Sequence, residues 1–343
     1  MRRRFAPVAA AISSALVFAA CTTSPTGTVV IGHPSISIEV PLSMTACTGS
    51  GSCVALGTSA AGTGPAITAQ YLRATGTWAV LKTPPATSDT FLTSACWRTG
   101  CLIGGTSPSS GELLWRYRAG DSTLTAVAGP PLGTVATALS CFDALSCALL
   151  DSTGPGSDSR LSVTTDGGTT WSTPADIAWS KGYSAFSISC TNELTCVVAA
   201  QAAGQNGGAP AWLVEVTTDG GITWQSPVIP PSIAAIKSLT CLAHHCDALV
   251  VVGDAVEWAH SRELAPGWTL HRLSGTASAM ACTPRDHCVI VGTSHGAPWL
   301  ATTTASTWSS QTLRYVPSPL TAVACGVSVC AVSAPSTVAT VTP

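Results

Sequence analysis

Charge is scarce in this chain. Only 9% of its 343 residues are Asp, Glu, Lys or Arg, against about 25% in an ordinary soluble domain. The formal net charge is −2, so there is no basic footprint for a phosphate backbone, and nucleic acid is excluded as a partner. After residue 20 no stretch reaches 18 uninterrupted apolar residues, which excludes a membrane-spanning helix in the body of the chain. Disorder is excluded as well, because 46% of the residues are hydrophobic and can form a core. Few charges with abundant Ser, Thr, Gly and Ala suit an extracytoplasmic β protein.

Cysteine is what the chain has in quantity. Fourteen of its 15 cysteines form close pairs: Cys47/Cys53, Cys96/Cys101, Cys141/Cys147, Cys190/Cys196, Cys241/Cys246, Cys282/Cys288 and Cys325/Cys330. Successive first cysteines lie 49, 45, 49, 51, 41 and 43 residues apart. A repeat of this length matches one propeller blade. Zinc sites usually have tighter spacing and gather four ligands, which argues against seven separate two-ligand sites. In an exported chain such pairs are read as disulfides. Each pair is expected at the end of one strand and the start of the next, across a short hairpin.

The odd cysteine is Cys21. Arg2, Arg3 and Arg4 precede an apolar stretch from Phe5 to Ala20, and Phe18-Ala19-Ala20-Cys21 ends it. The segment resembles a bacterial lipoprotein signal peptide. That resemblance implies a signal peptide over residues 1–20 and lipidation of Cys21, with a short tether over residues 21–26. Five residues, Thr22 to Thr26, reach under ~20 Å at ~3.5 Å each. The body, residues 27–343, would therefore sit close to the membrane.

One repeat shows the local logic. Phe186-Ser187-Ile188-Ser189-Cys190 alternates as a strand, Thr191 to Thr195 turns, and Cys196 to Ala200 returns. A Gly-rich loop leads to a third strand, Trp212 to Val216, and Thr217 to Trp224 turns into a fourth. The residue before each first cysteine is small (Ala46, Ala95, Ser140, Ser189, Thr240, Ala281, Ala324), as an innermost strand beside a central channel requires. After Cys330 only one further strand, Thr337 to Val341, remains, whereas residues near 27–33 lie where a missing fourth strand would. The reading is an all-β fold: a seven-bladed β-propeller of four-stranded antiparallel blades, one hairpin disulfide per blade, closed by an N-terminal latch strand.

Thr164-Thr165-Asp166-Gly167-Gly168-Thr169-Thr170-Trp171 recurs as Thr217-Thr218-Asp219-Gly220-Gly221-Ile222-Thr223-Trp224. These octets resemble the Asp-box, or BNR, repeat of sialidases, sortilin-type domains and photosystem II assembly-factor-like propellers. The resemblance implies structural roles: Asp166 and Asp219 bind a turn, Gly167, Gly168, Gly220 and Gly221 permit it, and Trp171 and Trp224 pack between sheets. It transfers no activity by itself. Sialidase chemistry needs a tyrosine nucleophile and an arginine cluster. Tyrosine occurs only at 71, 117, 183 and 315, and Arg116-Tyr117-Arg118, the one close group, reads as an exposed strand edge whose alternation turns Tyr117 from the arginines.

Six of the seven histidines fall in residues 244–296. His244, His245 and Asp247 could meet Asp286 and His287 of the next blade, but the plainer reading is two solvated turns, and no metal, cofactor or catalytic residue is assigned. Long loops at 57–64, 106–111, 152–159 and 201–208 suggest ligand recognition at one mouth of the ring; Trp115, Trp212, Trp258 and Trp299 follow such loops as a candidate aromatic rim, with core packing expected for at least half of them. The expected function is a non-enzymatic, monomeric, lipid-anchored binding scaffold outside the cytoplasm for a protein or envelope glycan. The alternatives are a sialidase-like glycoside hydrolase and an assembly factor for a membrane complex.

Overall fold

The structure is a computed structural model, and it describes residues 42–57, 68–72, 75–81, 90–107, 111–121, 124–130, 135–152, 159–172, 175–177, 182–202, 211–242, 245–262, 267–285, 287–304, 307–313, 319–335 and 337–342. Blade 1 holds β1 (Leu42–Cys47), β2 (Cys53–Gly57), β3 (Thr68–Leu72) and β4 (Thr77–Leu81). Blade 2 holds β5 (Thr90–Cys96), β6 (Gly100–Ser107), β7 (Gly111–Arg118) and β8 (Thr125–Val127). Blade 3 follows with β9 (Val135–Cys141), β10 (Cys147–Ser152), β11 (Ser159–Thr164) and β12 (Ala175–Asp176). Blade 4 has three strands, β13 (Tyr183–Cys190), β14 (Cys196–Ala202) and β15 (Ala211–Thr217). Blade 5 holds β16 (Ile233–Leu242), β17 (His245–Val252), β18 (Ala255–Ser261) and β19 (Thr269–Arg272). Blade 6 holds β20 (Thr276–Cys282), β21 (Cys288–Ser294), β22 (Ala297–Thr304) and β23 (Thr307–Thr312), and blade 7 ends the chain with β24 (Ala322–Cys325), β25 (Cys330–Ala334) and β26 (Thr337–Val341).

Every blade is an antiparallel meander, and no helix occurs among the described residues. The chain is a seven-bladed propeller. Blade 4 differs from the expected pattern: in place of its fourth strand there is a single bridge between Val216 and Gln225. Blade 7 has three strands among the described residues. The latch segment near 27–33, Cys21 and the signal region lie outside them.

Burial explains the strand composition. A blade's second strand is covered on both faces by its neighbours, so Cys53 to Gly57 and Cys196 to Ala200 are buried throughout. Such a strand reads as a continuous apolar run rather than an alternation. First strands alternate, and their small residues stitch blade to blade. Cys190 N–H donates to Ser140 Oγ at 2.8 Å, and Cys241 N–H to Ser189 Oγ at 2.8 Å. An apolar side chain in place of Ser140 or Ser189 would remove that acceptor.

Each cysteine pair is a disulfide: Cys47–Cys53, Cys96–Cys101, Cys141–Cys147, Cys190–Cys196, Cys241–Cys246, Cys282–Cys288 and Cys325–Cys330. The two cysteines of a pair stand directly opposite each other in the first hairpin. In five blades the second cysteine opens its strand, as expected. In two blades that expectation is corrected. Cys101 follows Gly100 in β6, because Gly100 already pairs with Arg118 of the third strand. Cys246 follows His245 in β17, because pairing runs one step past the disulfide, Leu242 against His245. Seven such bonds belong to an oxidising, extracytoplasmic setting.

The ring closes at a seam between its two ends. Leu42 N–H donates to Pro335 O at 2.8 Å. Leu42, Ala55 and Trp78 of blade 1 share a core cluster with Ala331 and Val338 of blade 7.

Candidate functional site

The first hairpin and the third-to-fourth connection leave each sheet on the same side, so cystine tips and octets meet there. In blade 3, Gly167 N–H donates to Leu145 O at 2.7 Å; in blade 4, Gly220 N–H donates to Leu194 O at 2.9 Å. Each tip is itself fixed by an acceptor side chain. Asp143 Oδ1 accepts from Leu145 N–H (2.8 Å) and Ser146 N–H (2.6 Å), and Asn192 Oδ1 accepts from Leu194 and Thr195 N–H (both 2.9 Å). The result is a rigid rim of turns with satisfied backbone.

The octets are built alike. Thr217 Oγ1 donates to Asp219 Oδ1 (2.8 Å) and accepts from Gly221 N–H (2.8 Å). Asp219 also accepts from Thr223 N–H (2.9 Å) and Thr223 Oγ1–H (2.6 Å). Asp166 repeats this with Thr164, Thr169 and Thr170. The threonine hydroxyls, then the amides, hold both carboxyls down at about 2. Gly167, Gly168, Gly220 and Gly221 all have φ between 73 and 92°, a region that costs other residues about 1–2 kcal/mol. Trp224 packs toward blade 3 and Trp171 against the blade 2–3 cluster.

Between the tips of blades 3 and 4 lies a cavity of about 250 Å3. Phe142, Leu161, Val163 and Leu194 contribute apolar surface, and among the described residues Glu193 is its one charged lining residue. Around it the chain leaves aliphatic side chains in solvent: Leu145 is 56% exposed, Leu194 50% and Ile222 83%. A backbone carbonyl of each leucine is held by an octet glycine, so these side chains are presented by ordered turns. Sequence reading passed over them because a leucine in a hairpin turn looks like any other residue. The available signal was a large aliphatic residue two positions after Asp143 or Asn192, the residues that cap the turns.

A second opening, about 400 Å3, separates blades 2 and 3 and is lined by Arg116, Arg118, Asp121, Thr125 and Thr169. Here the strand-edge expectation is corrected. The segment belongs to β7, which pairs with β6 on one side and β8 on the other. Tyr117 is fully buried, its hydroxyl accepting from Gln70 Nε2–H at 2.6 Å, and burial raises its pKa. The alternation does turn the arginines away from it. Arg116 donates through Nη2 to the carbonyl of Gly167 in blade 3.

The histidine-rich region is not merely two solvated turns. Asp247 is buried and accepts from Trp258 Nε1–H at 2.8 Å, with His260 Nδ1 at 3.0 Å and His245 Nε2 at 3.5 Å. His271 stacks on Trp258 at 4.5 Å between ring centroids, and Trp308 meets the same indole edge-on. The carboxylate is occupied by partners of its own blade, and the Trp258–Trp308 contact carries the packing on to blade 6. Among the described residues, one group of three ligand atoms lies mutually within 4.8 Å, Asp247 with Cys282 and Cys288, and those two sulfurs are bonded to each other. His244 and Asp286 lie outside the described residues.

Of the four candidate rim tryptophans, Trp115, Trp258 and Trp299 are core residues, as expected for at least half of them, and Trp212 packs edge-on against Phe186 at 5.7 Å. The long loops lie largely outside the described residues. On their side of the ring, blades 5 and 6 instead turn tightly at Gly253–Asp254 and His295–Gly296. Burial hides further acids that the sequence did not single out. Asp151 is held by Arg160 at 3.0 Å, and Glu215 accepts from Ser226 Oγ–H, its pKa raised by burial.

No protein-family model matches the chain, and no curated protein matches its sequence. Solved structures match it in fold. YCF48 bound to a D1 peptide has a TM-score of 0.62 at 13% identity, covering 90% of this chain and 95% of that one. A catalytically inactive virginiamycin B lyase from Staphylococcus aureus with quinupristin has 0.61 at 10%, covering 90% and 98%. The GH74 enzyme of Niastella koreensis has 0.62 at 12%, covering 90% of this chain and 53% of that one. At these identities the likeness shows the propeller fold alone.

Proposed function

We propose that this protein is a non-enzymatic scaffold of the cell envelope that binds a protein partner through its hairpin-tip face. The observation that carries this reading is the apolar cavity between blades 3 and 4, lined by Phe142, Leu161, Val163 and Leu194, with Leu145 and Ile222 exposed on the turns next to lining residues Ser146 and Gly220. Exposed aliphatic side chains around a preformed apolar hollow are characteristic of protein contact surfaces. A lipid on Cys21 and a short tether would hold that face near other envelope proteins. The peptide in the YCF48 structure supports the idea that such a ring can hold a protein segment.

A glycan partner is less well served, since three of the four tryptophans considered for a rim are buried in the core. Sialidase-type hydrolysis fares worse, because Tyr117 is enclosed and hydrogen-bonded between blades 1 and 2. An assembly-factor role is a special case of protein binding and stays within the proposal. The test is a photo-crosslinking amino acid placed singly at 194, 222, 254 or 295 in the intact cells that make the protein. Adducts of one defined protein from 194 and 222 are expected. Adducts confined to 254 and 295 would move the site to the other face. Turnover of a fluorogenic sialoside, abolished by Tyr117→Phe, would replace binding with catalysis.

A further inference from the structure

We propose that the cleft between blades 2 and 3 binds a carboxylate, and that the protein segment docked on this face carries an acidic side chain beside an apolar one. The inference rests on reading this face as a protein-docking surface. Arg116 and Arg118 stand two apart on the side of β7 that faces blade 3, and both line the cleft. Asp121 shares the opening, yet among the described residues neither arginine forms an ion pair with it or with any other acid. Two guanidinium groups and one carboxylate leave the cleft net positive. In a chain with 15 Lys and Arg in total, two unpaired arginines in one opening are a concentration of charge.

Arg116 is anchored by its bond to Gly167 O and its Nε–H is buried without a hydrogen-bond partner, so it contributes charge to the cleft while its fork is turned to the protein. Arg118 is exposed and free to meet a ligand. Thr125 and Thr169 add hydroxyls. A planar guanidinium fork with neighbouring hydroxyl donors suits a carboxylate, whose two oxygens accept side by side. The octet of blade 3 ties the two openings together: Thr164 and Thr165 line the apolar cavity, and Thr169 lines the arginine cleft. An extended segment crossing that octet would place one side chain in each.

A displayed library of random dodecapeptides, selected on the purified full chain, tests this. Three proteins serve as bait: wild type, Arg118→Glu, and Thr165→Trp, which fills the cavity mouth from an exposed position. Matching thermal melts establish that all three fold. Wild type should enrich Asp or Glu at a fixed spacing from Leu, Ile or Phe. Arg118→Glu should lose the acidic preference and keep the apolar one, and Thr165→Trp should do the reverse. The best peptide should bind Arg118→Glu at least tenfold more weakly and recover when its acid is changed to Lys. Apolar enrichment without an acid overturns the cleft assignment and leaves the docking reading intact. Acidic enrichment without an apolar partner overturns the cavity instead. Binding of a uronate oligosaccharide that Arg118→Glu abolishes, with no peptide selected, overturns both in favour of a glycan.

Discussion

Gly220 and Gly221 are adjacent, share positive φ, and should nonetheless respond differently to substitution. A Cβ on Gly220 would come no closer than 3.7 Å to another heavy atom, whereas one on Gly221 would meet Leu161 Cδ2 of blade 3 at 2.9 Å. Gly220→Ala should therefore cost about 1–2 kcal/mol from φ alone, and Gly221→Ala slightly more, because its Cβ must turn the flexible tip of Leu161 aside; urea denaturation measures the difference. The neighbouring acids predict a pH dependence. Asp166 and Asp219 are held at about 2, below the ~3.9 of an unfolded chain. Their contribution is fully present above pH ~4 and is lost as pH falls toward 2. Thermal melts of Asp166→Asn/Asp219→Asn should be flatter than wild type across that window; identical slopes would remove the octets from the acid response. These turns were legible in sequence because the chemistry of Asp166 and Asp219 is local, with the hydrogen-bond partners of both carboxylates within four residues. The Arg116–Gly167 bond spans 51 residues and left no such trace.

At the scale of the element, the cystine hairpin is the unit that carries the site. Closing so short a loop contributes about 2 kcal/mol by the chain-entropy argument. Replacing Cys190 and Cys196 together by Ala should lower stability by about that amount, and partner binding should weaken further because Leu194 sits between them. If stability falls while binding is untouched, the rim is not the contact. The hairpins and second strands could be read from the sequence because cysteine pairs and apolar runs mark them. Their exact ends could not, since Gly100 and His245 join their strands ahead of Cys101 and Cys246 through partners on other strands. Fourth strands were harder still. β8 is three residues, Thr125–Val127, too short for a periodic signal, so its pairing along β7 could not be placed from the sequence. Which of the four tryptophans are buried was likewise not legible, because that depends on the adjacent blade, which spacing along the chain does not reveal.

The whole molecule is a ring whose last seam joins blade 7 to blade 1. A Cβ on Gly326 would overlap the carbonyl oxygen of Thr48 across that seam. Gly326→Val should loosen blades 1 and 7 together, seen as faster amide exchange in β1 and β25, with blades 3 and 4 little changed. The cysteine period disclosed the ring, because repeats of nearly equal length have a global meaning. It could not disclose which face works, since that depends on side chains brought together from different blades. The most direct measurement is amide hydrogen exchange on the complex captured by crosslinking. Slower exchange at residues 142–146, 191–195 and 217–225, with 253–254 and 295–296 unchanged, is the predicted result. Slower exchange confined to 253–254 and 295–296 would contradict the assignment of function to the hairpin-tip face.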